Sequence, residues 1–161
     1  MMSTRPPATV GSAWIHPLSR PFVIIGVLGV IGGGLLSAIT APAPSYHASW
    51  AVAYTVLVIG VAQIALGVAQ TSLTGAAVGG RAVVAEAVCW NLGNALVLAG
   101  TLAGALAVLY AGIVLFLVAL VLFAIALRHG RRGMPLVVAW VVLVILFVSA
   151  PVGVIIQALT G

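Results

Sequence analysis

Long apolar runs, broken by short segments with proline, glycine or charge, dominate this chain. The first run covers 22–41, after Pro21 and before Pro42, and the second covers 50–69. Each has about the 20 residues that an α-helix needs to cross a hydrocarbon core about 30 Å thick. We therefore predict two membrane-spanning helices here, joined by a short uncharged loop.

The next apolar stretch, 82–127, is too long for a single span. As one straight helix it would be about 69 Å long at a rise of 1.5 Å per residue, more than twice the core thickness. Within it, two glycines and a threonine stand close together only in the segment 100–104, which reads Gly-Thr-Leu-Ala-Gly. We therefore predict spans at 82–100 and 105–127, joined by a tight hairpin.

A last apolar run, 136–158, follows Pro135 and predicts a fifth span. With five spans the two ends of the chain face opposite sides of the membrane. The first run could instead be a signal peptide, because 41–43 reads Ala-Pro-Ala and resembles a small-residue cleavage site. The length of the run and a proline at position 44 argue against cleavage, and the remaining four spans would keep their orientation.

All six basic side chains fall in segments that five spans would place on one side of the membrane. They are Arg5, Arg20, Arg81, Arg128, Arg131 and Arg132. Positive charge is retained on the cytoplasmic side during insertion. The pattern therefore predicts a cytoplasmic N-terminus, with 1–21 as a short cytoplasmic segment, and an external C-terminus.

The composition agrees with this interpretation. Hydrophobic residues make up 64% of the chain and charged residues 4%, and the mean hydropathy is +1.36. In a soluble domain, about a quarter of all residues are charged. We predict an all-α integral membrane protein, a bundle of five transmembrane helices forming one domain over 1–161 and embedded in the lipid bilayer. The net charge of +5 is interpreted as a topology signal, with no nucleic-acid partner expected.

The amino-acid composition indicates the kind of organism that encodes the chain. Arginine is the only long basic residue, and Ala, Val, Gly and Leu are abundant, as expected of a high-GC bacterial genome. We therefore expect a multi-pass protein of the bacterial plasma membrane.

Glu86 is the only acidic side chain in the protein, and it falls inside the third predicted span. An ionisable side chain in a membrane span is costly to insert, and it marks a functional site by default. Two interpretations remain open at this point. Glu86 is either a group that binds protons or cations, or the partner of Arg81 or of an arginine of segment 128–132 near the cytoplasmic surface.

Helical spacing places further polar residues on the same face of the third span as Glu86, and on one face of the second span. On the third span, one helix face carries Glu86, Trp90, Gly93 and Asn94, with Asn91 at its edge. On the second span, one face carries Gly60, Gln63, Gly67 and Gln70. Two such faces should pack together, because lipid offers no hydrogen bonds and small residues allow close approach. The amides are then either interhelical hydrogen-bonding groups or, with Glu86, the lining of a polar cavity formed by Gln63, Gln70, Glu86, Asn91 and Asn94.

Glycines provide further packing positions. In the first span Gly26, Gly29 and Gly33 share a face, and Gly60, Gly67 and Gly93 are the corresponding small residues of the second and third spans. Small residues three or four positions apart let membrane helices approach closely. The sequence does not distinguish packing within this chain from packing against a homo- or hetero-oligomeric partner.

Catalytic and metal-binding signatures are missing from the sequence. It has no Asp, no Lys, and no GxSxG, HExxH or P-loop motif, and its single cysteine, Cys89, has no metal-ligand spacing. We expect no enzymatic activity, no metal site and no cofactor. One alternative stays open: His16, His47 and His129 raise the possibility of a membrane redox protein with bound haem.

Three functional hypotheses follow. The leading one is a non-enzymatic accessory or structural subunit of a membrane complex, because loops are short and small-residue faces abundant. The alternative is an autonomous small-solute or proton-coupled transporter or channel that uses Glu86 and the neighbouring Gln and Asn residues. The second alternative is the haem-binding redox protein.

Overall fold

A computed structural model describes residues 16–74 and 78–160 of the chain, with side chains described as far as residue 150. These residues form five α-helices and no strand. The helices are α1 (Arg20–Thr40), α2 (Tyr46–Thr74), α3 (Gly80–Ala103), α4 (Leu106–Leu127) and α5 (Met134–Thr160). The first four are long and apolar enough to cross a membrane, and α5 is apolar over its described part. The predicted all-α membrane bundle is confirmed.

Helix α2 is longer than the span 50–69 that hydropathy predicts. It begins at Tyr46 because the Oγ of Ser45 accepts a hydrogen bond from the backbone N of Ala48 at 3.2 Å. It continues to Thr74, whose hydroxyl donates to the carbonyl oxygen of Gln70 at 2.6 Å. Polar residues after position 69 lower the hydropathy without ending the helix, and the hydroxyls of Thr71 and Thr74 bond to carbonyl oxygens of the helix itself.

The predicted turn at 100–104 is present, but α3 extends three residues beyond the predicted end at 100. Gly104 has a φ of 64°, in the left-handed region that favours glycine, and it terminates α3. The backbone N of Ala105 then donates to the carbonyl oxygen of Gly100 at 2.9 Å. Gly100 therefore belongs to the helix, and Gly104 alone reverses the chain.

The other helices start or end within two residues of their predicted bounds. Helix α1 starts at Arg20 rather than at 22, after a 3₁₀ turn over Pro17–Ser19, and ends at Thr40. Helix α5 covers Met134–Thr160 where 136–158 was predicted. Proline lacks an N–H but is tolerated in the first turn of a helix, so Pro21 and Pro135 do not mark the first helical residue.

Helices α1 and α2 form an antiparallel pair in close backbone contact. A Cβ added to Gly26 would lie 2.9 Å from the carbonyl oxygen of Gly60, and one added to Gly29 would lie 3.1 Å from the backbone N of Gly60. Gly33 lies against Val56, and Gly67 against the ring of Phe22. The glycine face of α1 is therefore used within this chain.

Helices α3 and α4 pack against each other in the same way. A Cβ on Gly93 would lie 2.7 Å from the backbone N of Phe116, and one on Gly112 would lie 2.8 Å from the carbonyl oxygen of Gly93. One on Gly100 would lie 2.7 Å from the Cα of Leu109. The fold thus consists of two glycine-mediated helix pairs, with α5 packed beside α2 and α4.

The alternation of helix direction brings the described arginines to one end of the bundle. Arg20 begins α1, Arg81 lies in the first turn of α3, and Arg128, Arg131 and Arg132 follow α4. All five side chains are exposed. The backbone N of Arg131 donates to the carbonyl oxygen of Leu73 at 3.0 Å, which joins the α4–α5 loop to the end of α2. Arg5 lies outside the described residues.

Candidate functional site

Glu86 lies in the interior of the bundle, on the face of α3 that meets α2. Its side chain is 1% exposed, and the Nε2 of Gln70 donates to its Oε2 at 2.7 Å. Among the described residues no arginine forms an ion pair with it, and Arg81, about one turn earlier, is exposed. The neighbour that the structure gives to Glu86 is thus a neutral amide, and the alternative of an interfacial ion pair with an arginine is not observed in this part of the chain.

A second polar contact joins α2 and α3 further along the bundle. The hydroxyl of Tyr54 donates to Oδ1 of Asn94 at 2.5 Å, and the Nδ2 of Asn94 donates to the carbonyl oxygen of Trp90 at 2.7 Å. Asn94 is fully buried. The polar stripe of α3 therefore meets α2 at two levels, through Gln70 at Glu86 and through Tyr54 at Asn94.

Tyr54 is the site residue that sequence reasoning missed. In a regular α-helix of 3.6 residues per turn, Tyr54 and Gln70 would point about 160° apart. Between them, however, α2 is π-helical over Thr55–Ala62. Because π turns rotate less per residue, this segment brings Tyr54 round to the side of Gln70. The available signal was a tyrosine hydroxyl inside a span, which needs a hydrogen-bond partner there.

Several buried polar atoms of α2 and α3 have no hydrogen-bond partner among the described residues. They are both amide atoms of Gln63, the Oε1 of Gln70 and the Nε1 of Trp90. Gln63 and Trp90 are each 0% exposed. Leaving such a group unpaired in an apolar environment is costly, about 1–3 kcal/mol. This interior therefore retains donors and acceptors for a ligand, a water molecule or a proton.

Aromatic rings close the site on the side of α1 and α4. The ring of Trp90 lies 5.2 Å from that of Phe116 and 5.7 Å from that of Phe123, and Phe123 lies 5.4 Å from Phe22. All four side chains are buried. The polar contacts between α2 and α3 thus have a hydrophobic wall beside them, which excludes bulk water and strengthens electrostatic interactions within the site.

The remaining candidates lie apart from this group. Asn91 is only half-buried, and its amide donates to the carbonyl oxygen of Ala87 on its own helix at 2.8 Å, so it does not join the polar contacts with α2. His16 caps the turn before α1, and His129 lies in the loop after α4. His47 lies at the opposite end of the bundle, with its ring 5.8 Å from that of Tyr46.

The side chains of the site offer hydrogen bonding and proton transfer. Glu86 is its one titratable group of ordinary acidity, and within the described residues no three His, Cys, Asp or Glu side chains are grouped to hold a metal ion. In comparisons with known proteins, no family model, curated protein or solved structure matches the chain.

Proposed function

We propose that this protein moves protons across the membrane, alone or together with a small solute, and that Glu86 is the group that takes up and releases the proton. The observation that supports this most is the complete burial of the only acidic side chain, against a neutral amide. Ionisable side chains inside membrane bundles are rare and characteristically belong to ion pathways and proton relays.

The cost of this burial favours a functional role over a structural one. An ionised carboxylate without a counter-charge is strongly destabilised in a low-dielectric interior. A neutral amide or apolar residue would pack against Gln70 without that cost. A carboxyl group differs from these chiefly in that it can change its protonation state.

Gln70 is suited to both protonation states of Glu86. Its Nε2 donates to the carboxylate in the structure, while its Oε1 has no partner among the described residues. An amide offers both a donor and an acceptor, so a protonated Glu86 can donate its O–H to that oxygen after a small reorientation. The same neighbour can therefore stabilise the group before and after proton uptake.

The proposal is tested by proton flux in reconstituted liposomes. The protein is reconstituted with a pH-sensitive dye inside the vesicles, and a pH gradient is applied with and without a low-molecular-mass cell extract outside. The wild-type protein should acidify the lumen faster than protein-free vesicles do. Glu86→Gln, which keeps the shape and hydrogen-bonding capacity but not the titratable group, should reduce the rate to that of protein-free vesicles.

A matched control is available on the same helix. Asn91→Leu also removes a polar side chain from α3, but Asn91 bonds to its own helix and lies outside the contacts with α2. This variant should conduct as the wild-type protein does. If Glu86→Gln and the wild-type protein give the same flux and the same dependence on pH, Glu86 does not carry the proton.

The accessory-subunit hypothesis is retained as a second candidate on one observation. An outward face of α1 carries Gly32, and a Cβ added there would meet no atom within 4 Å. The same face exposes Leu28 and Leu35. A glycine between exposed leucines on an outward face would allow a partner helix to approach closely.

This second candidate is tested by purification in a gentle detergent, followed by mass measurement of the intact complex. A stoichiometric partner chain, lost on Gly32→Leu, would support it. A single chain free of partners that catalyses proton flux by itself would exclude it.

A further inference from the structure

An open groove lies on the outside of the bundle, between the second half of α2 and the first half of α5. Its volume is about 540 Å³, and its lining is almost entirely apolar. Among the lining residues are Ala65, Val68 and Ser72 of α2 and Met134, Val138 and Val142 of α5. This groove is separate from the polar contacts around Glu86, which lie on the side of α2 that meets α3.

One end of the groove lies beside two arginines. Leu73 and Met134 line this end, and the backbone N of Arg131 donates to the carbonyl oxygen of Leu73 at 3.0 Å. This hydrogen bond holds the loop that carries Arg131 and Arg132 against the mouth of the groove. Both arginine side chains are exposed. The opposite end, at Ile64 and Val142, lies deeper along the helices.

We propose that the groove binds one anionic phospholipid, with an acyl chain along α2 and α5 and the phosphate at Arg131 and Arg132. The apolar lining matches a hydrocarbon chain, and the position of the two cations matches a headgroup at the membrane surface. Pockets formed by helices with basic residues at the cytoplasmic end bind anionic headgroups. Guanidinium groups also pair with phosphate oxygens through two parallel hydrogen bonds. The proposal is independent of any role of Glu86.

The test measures lipid retention on the intact protein by native mass spectrometry. The protein in mild detergent receives equal amounts of phosphatidylglycerol and phosphatidylcholine with the same acyl chains. The wild-type protein should retain one phosphatidylglycerol in preference to phosphatidylcholine. Arg131→Gln/Arg132→Gln should reduce that preference about tenfold or more, the scale expected for two arginines beside an anionic surface.

Two matched controls separate this site from general attraction. Arg81→Gln/Arg128→Gln removes the same charge from the same end of the bundle. Arg81 lies on α3 and Arg128 directly after α4, and neither helix lines the groove, so this variant should preserve the preference. Ala65→Phe adds a ring at an exposed lining position and should lower retention of phosphatidylglycerol, whereas Ala53→Phe, exposed on α2 outside the groove, should not.

Three outcomes would overturn the proposal. The first is equal retention of the two lipids by the wild-type protein. The second is an equal loss of preference in the two double-arginine variants, which would mean a diffuse charge effect. The third is unchanged phosphatidylglycerol retention in Ala65→Phe, which would place the lipid elsewhere.

Discussion

At the scale of single residues, the polar contacts of α2 and α3 distinguish this bundle from a purely apolar one. Gln70 and Glu86 lie on different helices and are both buried, with their hydrogen bond screened from bulk water by the packed helices. A buried group that loses its partner bears the full desolvation penalty, whereas replacing both partners by apolar groups removes that penalty. The pair should therefore show strong energetic coupling.

A double-mutant cycle measures this coupling. Gln70→Leu alone should lower the free energy of unfolding by about 1–3 kcal/mol, because it leaves the Glu86 carboxyl without its donor. Gln70→Leu/Glu86→Leu should recover much of that loss. Unfolding in mixed micelles gives the four free energies, and strictly additive effects would mean that the two side chains do not interact.

Tyr54 allows a simpler prediction at the same scale. Tyr54→Phe removes only the hydroxyl that donates to Asn94 and should lower the free energy of unfolding by about 1 kcal/mol. Tyr46→Phe is the matched control, since Tyr46 is 74% exposed at the end of α2 and its loss of a hydroxyl should have no effect. Equal stability of the two variants in thermal unfolding would contradict the contact.

Much of the candidate site could be predicted from helical spacing, and the exceptions have identifiable causes. Gln63, Gln70, Glu86 and Asn94 follow the α-helical period and are all buried in the bundle. Tyr54 was missed because a π-helical segment, which leaves no recognisable mark in an apolar sequence, changes the phase of α2.

The sequence predicts Asn91 as part of the polar cavity because it lies only about 60° from Asn94 around the helix axis. That angle is enough to turn its side chain away from α2 and toward a carbonyl of its own helix. Spacing places Asn91 at the edge of the face but does not show whether a side chain at the edge reaches the neighbouring helix.

At the scale of helices, glycine determines which elements pair. The glycines of α1 and α2 allow one close contact, and Gly93, Gly100 and Gly112 allow the other. In a membrane, such contacts derive their stability from van der Waals packing rather than from the hydrophobic effect. The sequence identified most of these positions but not their partners, since a small-residue face is equally suited to a neighbouring helix or another chain.

Enlarging a glycine in the α3–α4 contact should destabilise the helix pair. Gly93→Ala places a methyl group where only 2.7 Å separates it from the backbone N of Phe116, so the helices must move apart. We expect a loss of about 1–3 kcal/mol in the free energy of unfolding, as for other overpacked sites. Gly32→Ala, in open space on α1, should not lower stability, because alanine favours a helix more than glycine does. Equal tolerance of both changes would contradict the close contact.

Helix bounds were predictable to within a few residues, and the largest difference is at the two ends of α2. Hydropathy reports where a chain is apolar, whereas a helix ends where its terminal carbonyls find other partners. Serine and threonine side chains extend α2 beyond its apolar run, and Gly104 terminates α3. Such capping contacts depend on individual side chains and are weakly represented in a hydropathy profile.

At the scale of the whole molecule, the fold gathers the described arginines at one end, and the charge rule predicts that this end is cytoplasmic. Single-cysteine labelling in whole cells checks the prediction in a Cys89→Ala background. A membrane-impermeant maleimide should label Ser45→Cys in intact cells, and His129→Cys only after permeabilisation. The reverse pattern would mean that the bundle is inserted the other way round.

Proton movement through Glu86 requires this side chain to change its protonation state inside the bundle, and infrared spectroscopy detects that change. Because Glu86 is the only acidic side chain, its carboxyl C=O stretch is free of overlap from other side-chain carboxyls. Glu86→Gln identifies the band by its loss and leaves any terminal carboxyl signal in place. We predict that titration of the reconstituted protein makes this band appear and disappear reversibly. A band that stays constant across the pH range in which the protein remains folded would mean that Glu86 does not exchange a proton there.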